Sequence, residues 1–369
     1  MSSKPDPRLA AMIAIDEQID GVDDPDKLLV AAKCYALMIG YDRRWRDAGY
    51  VPVSVEETLV ADLYNPETLR KSRSFRIAGK IDAVVDDPET GRRLVLDHKT
   101  TSDDISDPLA PFWRQLRIDG QSSQYMLLHW LNGRRIDGAI WDVVRKPTIR
   151  PKKLSKADAA AVGATGKYFG SPVSDDSLAE LAETSRESPE MYEVRLAHDC
   201  AVERPEYYFQ RRPVPRTDRE LLEYAQDVWD IGQDVLTARR SGRHTRNAGA
   251  CFQYRSPCRF LDLCSGHDSV ESDGWVRKDQ VHAELPDLEG DGRDVLTHSR
   301  ARTFQTCRQK EYFAYELGIE QSGKEDKEAL YFGSLWHCAQ EAWWKAQLKE
   351  EHSDGEITAG DEAAARRIR

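Results

Sequence analysis

Two carboxylates and a lysine stand at spacings that could support metal-dependent chemistry on phosphate. Asp82 lies in the segment GKIDAVV, and Asp97 and Lys99 follow in LVLDHKTT. Both segments have the alternation of strands, so Asp97 and Lys99 should point to one face of a sheet. Carboxylates on adjacent strands form an oxygen site for Mg2+ or Mn2+, and a nearby lysine can hold water and offset charge developing on phosphorus. The alternative is an ordinary solvated strand face with an Asp–Lys pair.

Composition restricts the class of protein in which such a site could operate. The 369 residues include 53 Lys and Arg and 64 Asp and Glu, which gives a formal net charge of −11. Hydrophobic residues make up 40% of the chain, enough for a folded core, while the acidity argues against binding nucleic acid or a membrane through bulk charge. The sequence predicts neither a signal peptide nor a membrane span. We therefore expect a cytoplasmic protein that has no membrane partner.

Hydrophobic periodicity predicts alternating helices and strands around this pair of segments. Residues 51–100 should form the sheet, preceded by a packing helix over about 25–48. An amphipathic helix should run from Thr217 to about Arg240 and end at Gly242. The other expected elements are a helix over 119–133, strands over 138–147 and 206–214, a helical insertion over 151–200, and helices from Thr297 to Gly318 and over 331–347.

These motifs resemble those of the PD-(D/E)XK nuclease superfamily, and within it the RecB-like exonucleases that include AddB-type and CRISPR-adaptation nucleases. The matching pieces are G-K-I-D ending at Asp82, L-D-H-K-T-T holding Asp97 and Lys99, and Q-S-S-Q-Y holding Gln121 and Tyr125. The resemblance implies a restriction-endonuclease-like mixed α/β sheet flanked by helices, with Mg2+ or Mn2+ at the aspartates. A helix would place Gln121 and Tyr125 on one face, where they could orient DNA or the lysine.

Further metal ligands are implied elsewhere in the chain. The family carries a G-x-x-x-H helix whose histidine binds metal, and Gly333 to His337 gives the best match here. A lone histidine on an apolar helix is otherwise usually a satisfied core residue. The carbonyl of His98 is an expected extra ligand. Either Glu56 or Glu57 could add a carboxylate to the site, with surface placement as the equal alternative for each.

Four of the seven cysteines form a separate group of interest, comprising Cys251, Cys258, Cys264 and Cys307. No C-x-x-C pair is present among them, so a zinc ribbon or ordinary finger fits poorly. Iron–sulfur nucleases of the family hold a [4Fe–4S] cluster with three C-terminal cysteines and one from a helix outside the core, and the resemblance implies that arrangement here. The trio departs from the commoner family spacing. The alternatives are free buried thiols and a zinc-stabilised interaction protein.

The order of the motifs departs from the family pattern. In the family, the helices carrying the first cysteine and the G-x-x-x-H element precede the catalytic hairpin, whereas here they follow it. We favour a circular permutant, with a nuclease core and cysteine group over 1–264, an acidic flexible linker over 265–296 and a helical arm over 297–369. The alternative is a truncated tandem copy whose Cys307 and His337 serve another chain.

A basic group precedes the first of the clustered cysteines. It consists of Arg239, Arg240, Arg243 and Arg246, and Arg255 and Arg259 lie between the cysteines themselves. Such a group could track phosphates or could be a solvated helix end. The sequence thus predicts a metal-dependent DNA nuclease, specifically an exonuclease acting on single-stranded ends. Its expected partner is DNA with single-stranded or duplex ends, and a helicase or recombination partner is compatible with that class. The competing hypothesis is a non-catalytic iron–sulfur DNA-binding or assembly subunit.

Overall fold

A mixed six-stranded sheet lies at the centre of the computed structural model, which describes residues 6–253, 256–285, 288, 290–323 and 328–348. Its strands are β1 (Val51–Tyr64), β2 (Lys71–Asp87), β3 (Arg92–Thr101), β4 (Gly138–Arg145), β7 (Phe209–Val214) and β11 (Asp294–Leu296). Three separate pairs are formed by β5 (Lys167–Tyr168) with β6 (Ser171–Pro172), β8 (Phe252–Gln253) with β9 (Ser256–Pro257), and β10 (Trp275–Arg277) with β12 (Ile319–Gln321).

The strand order is β1-β2-β3-β4-β7, and only the β3–β4 pair of that path is parallel. Strand β3 pairs with no more than the last part of β2, at positions 83–87. The free edge at 75–77 is taken by β11, which runs parallel to β2. The C-terminal part of the chain therefore returns to complete the central sheet.

Helices cover both faces of this sheet. One layer contains α1 (Pro7–Ile19), α2 (Pro25–Trp45), α7 (Pro189–His198), α8 (Pro205–Tyr208) and α13 (Glu328–Lys345). The other contains α3 (Pro111–Arg117), α4 (Gln121–Leu131), α9 (Asp218–Ser241) and α11 (His298–Thr306). The remaining helices are α5 (Lys156–Thr165), α6 (Asp175–Thr184), α10 (Leu261–Ser265) and α12 (Arg308–Glu311).

Local sequence signals explain where several of these elements begin and end. A capping box formed by Thr217 and Glu220 begins α9, and Gly242 ends it at a φ of +62°, as predicted. Asp24 caps α2 just before Pro25. The expected sheet over 51–100 and the helix over 119–133 are confirmed with shifts of a few residues at their ends.

Two segments differ from their predicted secondary structure. The expected linker over 265–296 contributes β10 and β11, and Leu285 and Val295 are buried against Ala78 of the sheet. The helix expected from Thr297 to Gly318 breaks at Cys307, whose extended backbone ends α11 before α12 and a π-helical turn begin. The polar composition of the first segment does not indicate strands. Its two short strands pair with residues far away in the sequence, β10 with β12 and β11 with β2.

The helical insertion over 151–200 has a small core of its own. Helices α5 to α7 bury a satellite cluster that includes Leu154, Val162, Leu181 and Met191. Helix α7 then packs on α2, which joins the insertion to the main body. Helix α13 packs against α1, α2 and β1, so the end of the described chain lies beside its beginning. The remainder of the predicted arm, residues 349–369, lies outside the described residues.

Candidate active site

The two longest strands change face at one shared position. Along β2, Ile77 and Ile81 face the layer of α4, whereas Ala83 and Val85, which have the same parity, face the layer of α2. Strand β1 makes the same change close to Glu56, whose φ of +57° is unusual for a residue with a side chain. Because both strands change together, their pairing register is the same just before and just after Glu56, and it shifts farther out, between Pro52 and Ser54. This local distortion resembles a β-bulge and redirects side chains next to it.

Three carboxylates lie in one row across the sheet at this distortion. Glu56 lies between the pairs 55–83 and 57–81, opposite Asp82, and one residue beyond the last β2–β3 pair, 83–96, the same register brings Asp97 beside Asp82. We call Glu56, Asp82 and Asp97 the carboxylate row. The Asp97 side chain is 2% exposed and that of Glu56 is 6% exposed. Strand pairing therefore concentrates negative charge where solvent access is limited.

Lys99 connects the carboxylate row to helix α4. Its Nζ lies 2.5 Å from Asp97 Oδ2 and donates a hydrogen bond of 2.8 Å to Gln121 Oε1. The Gln121 amide in turn donates to the Tyr125 hydroxyl at 2.8 Å. The structure thus brings together the lysine, one aspartate, and the glutamine and tyrosine singled out by their spacing. Helical periodicity explains why the last two share a face.

Burial and charge shift the pKa values of these groups. Burial, reinforced by Asp82 and opposed by Lys99, raises the pKa of Asp97 to about 7. Burial acts to lower the pKa of Lys99, but the charges of Asp97 and Asp82 outweigh it and raise the pKa overall. Burial raises the pKa of Tyr125 well above its ordinary value. The site therefore combines a protonated Lys99 with the carboxyl group of Asp97, which lies close to the negative charge of Asp82.

His337 approaches the carboxylate row from α13. Its Nε2 lies 3.1 Å from Glu56 Oε1, and Lys80 Nζ lies 2.5 Å from Glu56 Oε2. The close contact with Glu56 raises the pKa of His337 to about 9, with the Asp82 charge acting in the same direction. Ligand atoms of Glu56, His337 and Glu341 all lie within 4.8 Å of one another, a spacing suited to one cation. Helix α13, which follows the core in sequence, thus places His337 against Glu56 of the carboxylate row.

His98 lies between the two layers. Its backbone N–H donates to Asp82 Oδ2 at 2.7 Å, which orients that carboxylate. Its imidazole points the other way, with Nδ1 3.2 Å from Asp142 Oδ2 and 3.0 Å from Gln340 Nε2 of α13. Burial works against ionised Asp142, but Arg211, His98 and Tyr41 outweigh it and lower its pKa to about 2. The role of the His98 carbonyl as a ligand stays a prediction.

The donor set of the carboxylate row fits a hard divalent cation. The oxygens of Asp97 and Glu56 are buried and, within the described part of the chain, accept no hydrogen bond of acceptable geometry. Their charge is balanced by ion pairs with Lys99, Lys80 and His337. Carboxylate oxygens are the ligands that Mg2+ and Mn2+ prefer, and imidazole also suits Mn2+.

The four cysteines of interest converge at a second location. All of them line one small cavity together with Phe260 and Lys310. The backbone N–H of Cys258 donates to the carbonyl of Cys251 at 2.7 Å, and α10 holds Cys264. We call Cys251, Cys258, Cys264 and Cys307 the cysteine cavity. Burial, with the neighbouring thiols adding to it, raises the pKa of Cys264. Cys34, Cys200 and Cys338 lie elsewhere in the fold.

The basic group divides into two parts. Arg239 is half-buried and is bound in ion pairs with Asp294 and Glu316, so it joins α9 to the returning chain. Arg240, Arg243 and Arg246 are exposed, and Arg246 also lines the cysteine cavity. Arg255 lies outside the described residues.

Sequence reasoning missed Glu341 and could not choose between the two glutamates of β1. Glu341 follows His337 by one helical turn, and that spacing was a usable signal for a shared face. The choice in β1 depends on the face change, which no glycine in that strand marks. Glu56 turns towards His337, while Glu57 is bound to Arg134.

The fold and site define a mixed α/β protein whose hairpin carries an aspartate on one strand and a D-x-K element on the next. The family model of the PD-(D/E)XK nuclease superfamily matches residues 8–265, and the chain belongs to that superfamily. No curated protein and no solved structure shows a significant match to the chain. The matched stretch contains the hairpin and three of the clustered cysteines, whereas Cys307 and His337 lie beyond it.

Superfamily membership indicates the general activity. Its members are generally phosphodiesterase nucleases that use Mg2+ or Mn2+. Membership therefore indicates that this chain is a nuclease that binds nucleic acid. Within the described ranges, none of the helices combines the length and apolarity that crossing a membrane requires.

Proposed function

We propose that this protein is a RecB-like, metal-dependent exonuclease that hydrolyses DNA from single-stranded or duplex ends. The observation that carries the proposal is the convergence on the carboxylate row of Lys99, which contacts Asp97 and Gln121, and of His337, which comes from α13 and contacts Glu56. That convergence also supports a circular permutant over a truncated tandem copy.

Glu56, His337 and Glu341 have the spacing to hold one cation, and Asp82 and Asp97, which the sequence predicts as ligands together with His337, would complete the ligand set. When bound, Mg2+ or Mn2+ supplies a Lewis acid and lowers the pKa of a coordinated water. The chain's own residues account for the rest of the chemistry.

Lys99, held between Asp97 and Gln121, would position the attacking water and offset charge that develops on the phosphate. In-line attack then breaks one P–O bond and leaves a phosphate on one end and a hydroxyl on the other. Asp82, kept in place by the His98 N–H, would stay oriented towards the same phosphate.

The cysteine cavity would hold a [4Fe–4S] cluster that clamps the returning chain to the core. Its support is the convergence of three cysteines from one segment with Cys307, the residue at which α11 ends. The expected result of anaerobic purification is a brown protein that contains iron. A colourless protein containing zinc would contradict the cluster.

The nuclease proposal is tested with labelled linear and covalently closed circular DNA, in Mg2+, in Mn2+ and with EDTA. We expect cleavage of linear DNA alone, dependent on the cation. Lys99→Ala should abolish cleavage while DNA binding measured by fluorescence anisotropy persists. The matched control is Lys71→Ala, which removes an exposed lysine paired with Asp62 at the other end of β2.

Two outcomes would contradict the proposal in different ways. If the Lys99→Ala variant cleaves DNA as fast as the wild type, Lys99 has no role in the mechanism. DNA binding by the wild type without cleavage in any cation would instead favour the non-catalytic subunit. A helicase or recombination partner would be revealed as faster degradation of duplex ends when that partner is added.

A further inference from the structure

We propose that Asp119 and His298 are positioning residues that hold Gln121, and through it Lys99, in the catalytic arrangement. This inference rests on the proposed nuclease function. It assigns a role to helix α11, which lies outside the stretch matched by the family model.

Asp119 lies two residues before the first residue of α4 and contacts the start of that helix. Its Oδ1 accepts a hydrogen bond of 2.9 Å from the backbone N–H of Gln121, the first residue of the helix. The same Gln121 accepts from Lys99 Nζ through its side chain. Because one residue carries both contacts, a displacement at the start of α4 moves the partner of the catalytic lysine.

His298 is the first residue of α11 and approaches Asp119 from the C-terminal part of the chain. Its Nε2 lies 3.3 Å from Asp119 Oδ1. The backbone carbonyl of Asp119 accepts a further hydrogen bond of 3.0 Å from Arg216. Both side chains of the pair are largely buried, at 17% exposure for His298 and 11% for Asp119, so water has little access to the contact between them.

Packing at Gly120 leaves the start of α4 little room to move. A Cβ at that position would lie 2.7 Å from the Tyr224 ring and 3.4 Å from Cε1 of His298. The helix start is therefore enclosed between α9 on one side and α11 on the other. Burial acts to raise the pKa of Asp119, but the close contact with His298 and the hydrogen bond from the Gln121 N–H outweigh it and lower that pKa to about 2. The carboxylate that orients Gln121 thus stays ionised at neutral pH.

Helix α11 also connects this point to the cysteine cavity. His298 begins the helix and Cys307 ends it, with the Cys307 N–H bound to the carbonyl of Thr303. Nine residues of helix span roughly 13 Å. Any group that fixes Cys307 thus fixes the helix whose other end orients Asp119.

The test is steady-state cleavage by His298→Ala, Asp119→Ala and Asp119→Asn. We expect His298→Ala and Asp119→Ala to lower kcat about tenfold with an unchanged KM for DNA, because a misplaced lysine affects the transition state alone. Asp119→Asn keeps an acceptor for the Gln121 N–H and should recover most of the lost rate. The matched control is His267→Ala, an exposed histidine whose ring contacts Ser265.

A double-mutant cycle separates positioning from a general structural role. In a Gln121→Ala background, His298→Ala should cause no further loss of kcat, because the residue through which it acts is already gone. Full additivity of the two effects, or a loss confined to KM, would overturn the inference.

Hydrogen exchange of the peptide covering 119–131 gives a readout that does not depend on cleavage. His298→Ala should reduce protection there, whereas His267→Ala should not. If the wild type cleaves no DNA, the nuclease proposal fails while this measurement still decides whether His298 holds the start of α4. If protection of this peptide is unchanged in His298→Ala, His298 does not hold the start of α4, whether or not the protein cleaves DNA.

Discussion

The carboxylate row and the cysteine cavity place their functional side chains by different means. The row lies on adjacent, hydrogen-bonded strands, where pairing register fixes the spacing of its members. The cavity is enclosed by short elements and loops, and its cysteines come from segments up to 56 positions apart, from 251 to 307. A strand-based site can be rigid without any bound group, whereas a loop-based site depends more on what it binds.

This contrast predicts which substitutions should reduce activity and which should reduce stability. Changing a member of the row should remove activity and leave the fold in place, because the strands are held by their neighbours. Changing the ion pairs that anchor the returning chain should weaken the fold around the cavity first. If that division is correct, we expect the following effects, in decreasing order of size.

Asp97→Asn should reduce cleavage by about a thousandfold or more, because it removes a charged ligand at the centre of the row. The unfolding temperature in EDTA should stay close to that of the wild type, since the amide has nearly the same volume. Differential scanning calorimetry and the DNA cleavage assay measure the two quantities. A variant that unfolds readily, or one that cleaves normally, would contradict the assigned role of the row.

Arg300→Met should destabilise the protein by about 3–5 kcal/mol, because it leaves a buried carboxylate without its partner. The Arg300 side chain is 1% exposed and lies 2.9 Å from Glu311 Oε1, which is equally buried. Urea unfolding measures the change. Arg219→Met is the matched control, since the pair of Arg219 with Glu223 is exposed to solvent and should contribute little. Equal effects of the two substitutions would show that this anchor is unimportant.

His129 in α4 should make stability depend on pH. Burial lowers its pKa to about 4 from an ordinary value of 6.5, so the folded state keeps it neutral. The unfolded chain takes up the proton first, so this contribution is complete above pH 6.5 and is lost as the pH falls towards 4. Between pH 7.5 and pH 5 the loss should be about 2 kcal/mol.

The His129 prediction is checked by urea unfolding at several pH values. His129→Leu should remove most of the dependence in that range, whereas His267→Leu, at an exposed position, should retain it. A pH dependence that His129→Leu leaves intact would assign it to other groups.

Arg243→Ala should weaken DNA binding modestly and to a similar extent for all sequences. An exposed arginine that contacts phosphate changes the slope of log K against log salt concentration by about one. Anisotropy titrations at several salt concentrations measure that slope. Arg219→Ala is the control, and an identical slope for both variants would exclude Arg243 from the DNA interface.

The strand-based site was the more predictable of the two from the sequence. Alternation alone predicted that Asp97 and Lys99 share a face, and helical spacing predicted the same for Gln121 and Tyr125. The inward turn of Glu56 could not be predicted, because it depends on a positive φ at a residue that does not ordinarily adopt one. Strand β11 was missed because three residues in a polar segment carry too little pattern, and their pairing with β2 is purely tertiary.

The proposed mechanism requires above all that one chain supply the whole site, with His337 returning to the hairpin that carries Asp97. Mixing Asp97→Ala protein with His337→Ala protein tests this requirement directly, against wild type at the same total concentration. We expect each variant alone to be inactive and the mixture to stay inactive, because no complete site exists in either chain. Cleavage restored on mixing would show that His337 serves the hairpin of another chain, and would contradict the single-chain site.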